Sequence, residues 1–244
     1  SRMLDDVKET HPQLQFPKHL VSLVIAVVMV SGLVASTAQA KWRHLKTEKG
    51  VAAFMSENPK TGLSIIKIKT KINASLPVVL GVVTDINNSC RWAGRCLEAK
   101  ILKSKGEFRH RVYSRRKGPW PINDRDFELD SVVDVHKGGD LVRVRFWDVK
   151  KPMIRPRKGV VRVPVMRGVY RLEKVSANVT NYEFQVEADP GGWIPKWVYR
   201  WTAEAGPFES AKKLRKLVPR VKKQYKPFVA RFKKSLKRAK KPTS

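Results

Sequence analysis

Cysteine, histidine and acidic side chains are all scarce in this chain of 244 residues. Two cysteines cannot staple a disulfide-framework mini-protein, and five scattered histidines supply no metal-ligand spacing. There is no Ser–His–Asp order and no paired carboxylates, which counts against nucleophilic or metal-driven catalysis; no cofactor and no metal are expected. Asp and Glu total 21 against 51 Lys and Arg, a formal charge of +30. That imbalance predicts an anionic partner: acidic lipid headgroups, nucleic acid or an acidic polysaccharide. Apolar residues, by contrast, are present in ordinary measure. At 42% they allow a sizeable core and exclude wholesale disorder.

The first forty residues read as a routing signal. Lys18-His19 precede an apolar stretch from Leu20 to Val34, and Ala38-Gln39-Ala40 follow just before Lys41. A basic flank, a short apolar run and an A-x-A ending are the parts of a secretory signal peptide. The alternative is a retained N-terminal anchor, since Leu20 to Ala38 is long enough to span a membrane if tilted. Residues 1–40 carry three basic and three acidic side chains, so their removal leaves the charge at +30. The expected location is an exported one, a bacterial periplasm. In that oxidising compartment Cys90 and Cys96 either pair with each other or stay as two buried thiols.

Beyond residue 41 the dominant pattern has a period of two. Ile66, Ile68 and Ile72 fall opposite Lys67, Lys69 and Lys71; Phe108 and Val112 fall opposite Arg109 and Arg111. Phe127, Leu129, Val133 and Val135 repeat it, as do Val142, Val144 and Phe146, then Tyr182, Phe184 and Val186. Val161 to Leu172 reads as a strand interrupted at Pro164 and Gly168. One-sided alternation broken by turn residues such as His136-Lys137-Gly138-Gly139-Asp140 predicts an antiparallel sheet with one wet face. Two helices are expected, one over Ser75–Asp85 and one beginning near Pro207. In the second, Phe208, Ala211, Leu214, Leu217 and Val218 recur at three and four. A helix of that kind must bury its stripe on the sheet's dry face. If the sheet curves strongly, the two enclose a hollow in place of a solid core.

Two strings are more specific than any periodicity: Lys117-Gly118-Pro119-Trp120-Pro121-Ile122-Asn123-Asp124-Arg125-Asp126-Phe127 and Asp189-Pro190-Gly191-Gly192-Trp193-Ile194-Pro195-Lys196-Trp197. Ahead of them lie Trp92, Cys96 and Leu97-Glu98-Ala99, and between them Val161-Arg162-Val163 leads to Gly168-Val169-Tyr170. In this order and spacing the set resembles the START (StAR-related lipid-transfer) family, over roughly Trp42 to Val218. The resemblance implies an α+β helix-grip fold: a curved antiparallel β-sheet wrapped around a C-terminal amphipathic α-helix. It also implies a tunnel for one lipid or other hydrophobic molecule, closed by that helix and its loops. A short helix from Trp193 to Trp201 is expected under this lid. Arg125 and Asp126 are read either as a structural tie between strands or as a polar tip facing a lipid headgroup. The sterol-carrying branch resembles a tunnel with a buried acid–base pair; the matching positions fall near Val112 and Ser131, so sterol specificity is not implied.

The domain expectation is therefore residues 1–40 as signal or anchor, 41–218 as the lipid-binding domain and 219–244 as a basic tail. Ile66, Ile68, Val112, Leu129, Val144, Phe146, Tyr182 and Phe184 are the lining candidates from the sheet, with Trp197, Leu214 and Leu217 from the lid. Residues 209–244 hold fifteen Lys or Arg and one acid. Along the tail, Lys222, Lys223, Lys226, Phe228, Phe232, Lys233, Lys234 and Lys237 form a cationic amphipathic pattern suited to docking on anionic membrane. The expected function is non-catalytic binding and transfer of a lipid by a monomer, with no specific nucleic-acid partner. The alternative is a cyclase- or aromatase-like enzyme in the same cavity, for which His110 is the one inward-facing acid–base candidate; the blander reading makes it a hydrogen-bonded core residue.

Overall fold

The computed structural model describes residues 41–194 and 196–239, with backbone alone for 196–204 and 239. The expected signal peptide lies outside the described residues. Strands β1 (Arg43–Glu48), β2 (Val51–Glu57), β3 (Ser64–Ile72), β4 (Cys96–Ser104), β5 (Arg109–Arg116), β6 (Asp124–His136), β7 (Leu141–Asp148), β8 (Val160–Arg162), β9 (Val165–Ser176) and β10 (Val179–Asp189) form one sheet. Its order is β1-β2-β3-β10-β9-β7-β6-β5-β4, antiparallel throughout. The short β8 lies parallel to the start of β6 and is the exception. The sheet curves, so the period-two apolar face becomes a concave wall.

Helix α1 (Leu76–Thr84) follows β3. Ser75 occupies its N-cap position without making a side-chain cap bond, and the proline that follows sits in the first turn, where no N–H is needed. A 3₁₀ segment, Ile86–Arg91, then carries the chain to β4, and a Cys90–Cys96 disulfide closes that connection. The long connection from β10 leads into α2 (Lys196–Val221). This helix is continuous, which corrects the expectation of a short helix at Trp193–Trp201 and a second one starting near Pro207. Proline interrupts a helix partly by clashing with the residue before it. Here that residue is Gly206, whose missing side chain removes part of the clash, and Ser210 Oγ donates to the Gly206 carbonyl at 2.7 Å. Pro219 likewise lies within α2, near its end, just before the 3₁₀ turn Lys222–Tyr225.

Helix α3 (Lys226–Ala239) packs on α1 and does not project as a separate tail. A Cβ on Gly81 would meet the Phe228 and Tyr225 rings at 2.9 Å, so the α1–α3 crossing needs glycine there. Phe232 is wholly buried and meets Phe108 edge-on at 6.3 Å. Leu236 reaches the β6–β7 turn, where Gly138 and Gly139 both take positive φ, which glycine adopts without strain. The far half of α2, with Phe208, Ala211, Leu214 and Val218 all fully buried, lies against β2 and β3. These side chains are part of the main hydrophobic core.

Gly168 does not interrupt β9, contrary to expectation. Only Val163-Pro164 break the chain between β8 and β9. The glycine is there because Phe146 and the Gln185 carbonyl crowd its Cα, leaving no space for a Cβ.

Candidate functional site

The remaining part of the interior is hollow. A cavity of about 370 Å³ lies against the inner face of the sheet. Strands β5 and β6 supply its wall in register: His110 opposite Ser131, Val112 opposite Leu129, Ser114 opposite Phe127, and Arg116 opposite Arg125. Phe146, Tyr170, Tyr182 and Phe184 form a second wall, with Tyr170 stacked on Phe184 at 4.6 Å and Phe146 stacked on Phe184 at 6.0 Å. Burial pushes the Tyr170 hydroxyl up to about 12 and raises Tyr182 well above its ordinary value, so both remain neutral phenols.

Four segments close the hollow: the 3₁₀ region with Trp92 and Ala93, the loop 117–122, α2 at Gly206, Pro207 and Ser210, and the loop 190–194. Gly94 N–H donates to Ser210 Oγ at 2.8 Å and fastens the first to the third. Arg95 holds the second in place, donating to the carbonyls of Lys117 and Gly118, each at 2.7 Å. Within that loop the Trp120–Pro121 peptide is cis, and the Ile122 and Asn123 carbonyls press on Gly118. Trp120 and Trp193, one in each loop, stand 92% and 81% exposed.

The sheet's two faces divide the charged residues sharply. On the outer face Asp126, 1% exposed, receives Arg162 Nε at 2.6 Å and the Tyr113 hydroxyl at 3.0 Å. Beside it Arg111 binds Asp130 at 2.8 Å, and buried Glu128 accepts the backbone N–H groups of Met153 and Ile154. The described lining of the cavity contains Arg116 and Arg125 from the inner face, Arg95 and Lys117 from adjoining loops, and no Asp or Glu. Arg125 and Asp126 thus have different jobs. Neighbours on a strand point to opposite faces, so Asp126 ties β6 to β8 while Arg125 turns inward.

The lining candidates are placed unevenly. Ile66, Val112, Leu129, Val144, Phe146, Tyr182 and Phe184 border the cavity. Ile68, Leu214 and Leu217 do not: α2 covers β3 where Ile68 lies, and there Ile68 and Leu214 belong to the core while the half-buried Leu217 packs against it. The Trp197 side chain lies outside the described residues. His110 borders the hollow, but both ring nitrogens are engaged, Nε2–H donating to the Glu107 carbonyl and Nδ1 accepting from Ser104, each at 3.0 Å. Val112 and Ser131 hold no ion pair; Ser131 Oγ donates to the His110 carbonyl. The docking set needs a correction. Lys222, Lys223, Lys226, Lys233, Lys234 and Lys237 are exposed, whereas Phe228 is half-buried and Phe232 fully buried, because the apolar face of α3 is already occupied by α1 and Phe108.

Sequence reasoning missed Arg116, Phe127, Tyr170 and Trp92 as lining residues. The signal for the first was present: extending the 110–112 alternation two more steps brings β5 to Arg116 on the same face.

The START domain model matches residues 19–224. The chain belongs to the START domain family. An uncharacterised protein of Pseudomonas aeruginosa is 28% identical over 196 residues, 80% of this chain and 96% of that one. Human phosphatidylcholine transfer protein is 27% identical over 175 residues, covering 69% and 79%. Among solved structures, a fragment of the STAR-related lipid transfer protein of Xanthomonas axonopodis superposes with a TM-score of 0.66 at 25% identity, covering 73% of this chain and 98% of that fragment. The helix-grip architecture expected of a START domain is the one observed.

Proposed function

We propose that this START domain is a non-catalytic carrier that holds one lipid in the cavity and transfers it at membranes. The observation that carries the reading is the hollow itself, walled by Val112, Leu129, Val144, Phe146, Tyr182 and Phe184 on the concave sheet face. Burying ~300 Å² of apolar ligand surface at ~25 cal/mol per Å² supplies roughly 7 kcal/mol before ordering costs. No reactive group is needed for that. The volume sits near the lower end of the ~300–1,000 Å³ typical of ligand pockets, which favours a single-chain amphiphile or one chain of a larger lipid.

Transfer requires contact with a bilayer. Trp120 and Trp193 are suited to the membrane–water interface and are carried by loops that border the cavity. The exposed lysines of α3 lie toward the opposite end of β5, so they draw the protein to anionic membrane at longer range and leave insertion to the tryptophans. Residues 1–40 and the Cys90–Cys96 disulfide both favour an exported protein.

Native mass spectrometry of the full chain tests the carrier reading. A co-purifying mass that organic extraction releases as lipid is the expected result. An apo mass together with failure to take up any acyl lipid from vesicles would reject it.

A further inference from the structure

We infer that the cavity selects an amphiphile whose head is an oxyanion, a phosphate or a carboxylate, and that Arg116, Arg125 and Trp92 receive it. This rests on the carrier reading and specifies the ligand class for the same site.

The argument starts from hydrogen-bond donors without acceptors. Buried polar groups are nearly always paired, and each exception calls for a cause. Among the described residues two buried side-chain atoms lack a partner, Trp92 Nε1 and Arg125 Nε. Both residues border the cavity, and both atoms are donors. Trp92 is 5% exposed.

Arg116 belongs to the same end of the cavity. It stands directly opposite Arg125 in the β5–β6 register, two like charges where cross-strand neighbours ordinarily attract. Among the described residues its guanidinium has one hydrogen bond, Nη1 to the Gly94 carbonyl at 3.2 Å, and the Phe127 ring at 5.6 Å. It forms no ion pair with any described carboxylate, while on the outer face Arg111, Arg115, Arg157 and Arg162 all have one. Burial lowers it to about 10, which still leaves it charged at neutral pH. A partly buried cation without a counter-charge carries a desolvation cost, and a bound anion offsets it.

Arg125 Nη1 and Nη2 already donate to the Asn123 and Gly191 carbonyls, at 2.5 and 3.4 Å. What the set still offers is Arg125 Nε–H, Trp92 Nε1–H, the remaining Arg116 donors and two positive charges, with no acid beside them. A phosphate or carboxylate, with several lone pairs in a compact group, satisfies them together, most directly through a forked guanidinium contact. A neutral head such as a hydroxyl leaves both charges without a counter-ion. The stacked aromatics lining the rest of the hollow would take the acyl chain.

The test compares ligands that differ only in the head. Uptake from neutral vesicles by the full chain is measured for lysophosphatidate, palmitate and monoacylglycerol, and inorganic phosphate is titrated alone by calorimetry. Wild-type protein should take up lysophosphatidate or palmitate at least tenfold better than monoacylglycerol. Arg116→Gln should bring that ratio close to one. Trp92→Phe, which removes only the N–H, should reduce it a few-fold and guards against misfolding of the arginine variant. Equal uptake of charged and neutral lipids by the wild type would overturn the inference while leaving the carrier reading intact. Uptake of none of them would count against the carrier reading itself. Tight binding of inorganic phosphate that an acyl chain does not improve would make this a free-anion site and overturn the headgroup assignment.

Discussion

Arg162 donates its Nε proton to Asp126 at 2.6 Å across the parallel β6–β8 pairing, and Asp126 is almost inaccessible to water. Arg162→Ala would leave a buried carboxylate with the Tyr113 hydroxyl as its main partner. Breaking a buried pair from one side costs about 3–5 kcal/mol. Urea denaturation should show a midpoint lowered accordingly with an unchanged slope. A loss below ~1 kcal/mol would mean that β8 is dispensable.

Phe232→Ala should destabilise the protein by about 3–5 kcal/mol, the range for deleting a buried aromatic. Lys233→Glu combined with Lys234→Glu should change the melting free energy by less than ~0.5 kcal/mol, since both side chains are exposed. Thermal unfolding of the two variants separates α3 as a structural element from α3 as a loose appendage. For the same reason, membrane attraction is better tested by reversing the charges of the α3 lysines than by truncation: loss of binding to anionic vesicles with an unchanged melting curve is the expected outcome.

Glu187 gives a pH dependence of known sign. Hydrogen bonds from Arg167, Thr61 and Asn58 hold its carboxyl at about 2, against an ordinary 4.5. A carboxyl lowered on folding stabilises the native state fully above the unfolded value, and that stabilisation disappears as pH falls from about 4.5 toward 2. Allowing for the half-exposed Arg167, its size at neutral pH is about 2 kcal/mol. Glu187→Gln should lose that amount at pH 7 and converge with the wild type at low pH. Parallel stability curves would contradict the assignment.

Gly168→Ala places a methyl group 2.6 Å from Phe146 Cζ and against the Gln185 carbonyl. Because backbone is one of the obstacles, the strain cannot be relieved by the ring alone. A loss of about 1–3 kcal/mol is expected, together with reduced lipid uptake, because Phe146 is the residue pushed into the hollow. Uptake that is preserved despite lower stability would show that the ring retreats elsewhere.

Trp120→Ala with Trp193→Ala should slow lipid transfer between vesicles and leave the melting temperature nearly unchanged, since both rings are solvent-exposed. Stopped-flow transfer of a fluorescent fatty acid measures it; unchanged rates would remove these loops from the docking surface.

The sheet was readable in the sequence because period-two alternation is a direct imprint of a pleat with one dry face. Ile66, Val112, Leu129, Phe146 and Phe184 were placed inward on that basis, and all border the cavity. The same logic put Ile68 with Ile66, correctly as to face. What it could not supply was position along the strand: two residues, nearly 7 Å, separate the hollow from the zone covered by α2. The helices were less legible. A proline at 207 reads as a start unless the flexibility of Gly206 is weighed, and the amphipathic stripe of α3 looks the same whether a bilayer or α1 covers it. The inward arginines were hidden for a different reason. A strand argument that follows apolar residues stops where they stop on the inner face, at Val112, and Arg116 lies two repeats beyond.

The anchoring of α3 limits how the pocket can be loaded. Tyr225 donates to Asp85 at 3.0 Å and Phe232 is clamped by Phe108, which pins the chain immediately after α2. With that end bolted down and Leu214 and Val218 buried against β2 and β3, the long helix is ill-suited to swing away like a door. On the proposed carrier reading, the loops bearing Trp120 and Trp193 are then the elements left to part for an acyl chain, as a needle's eye admits thread.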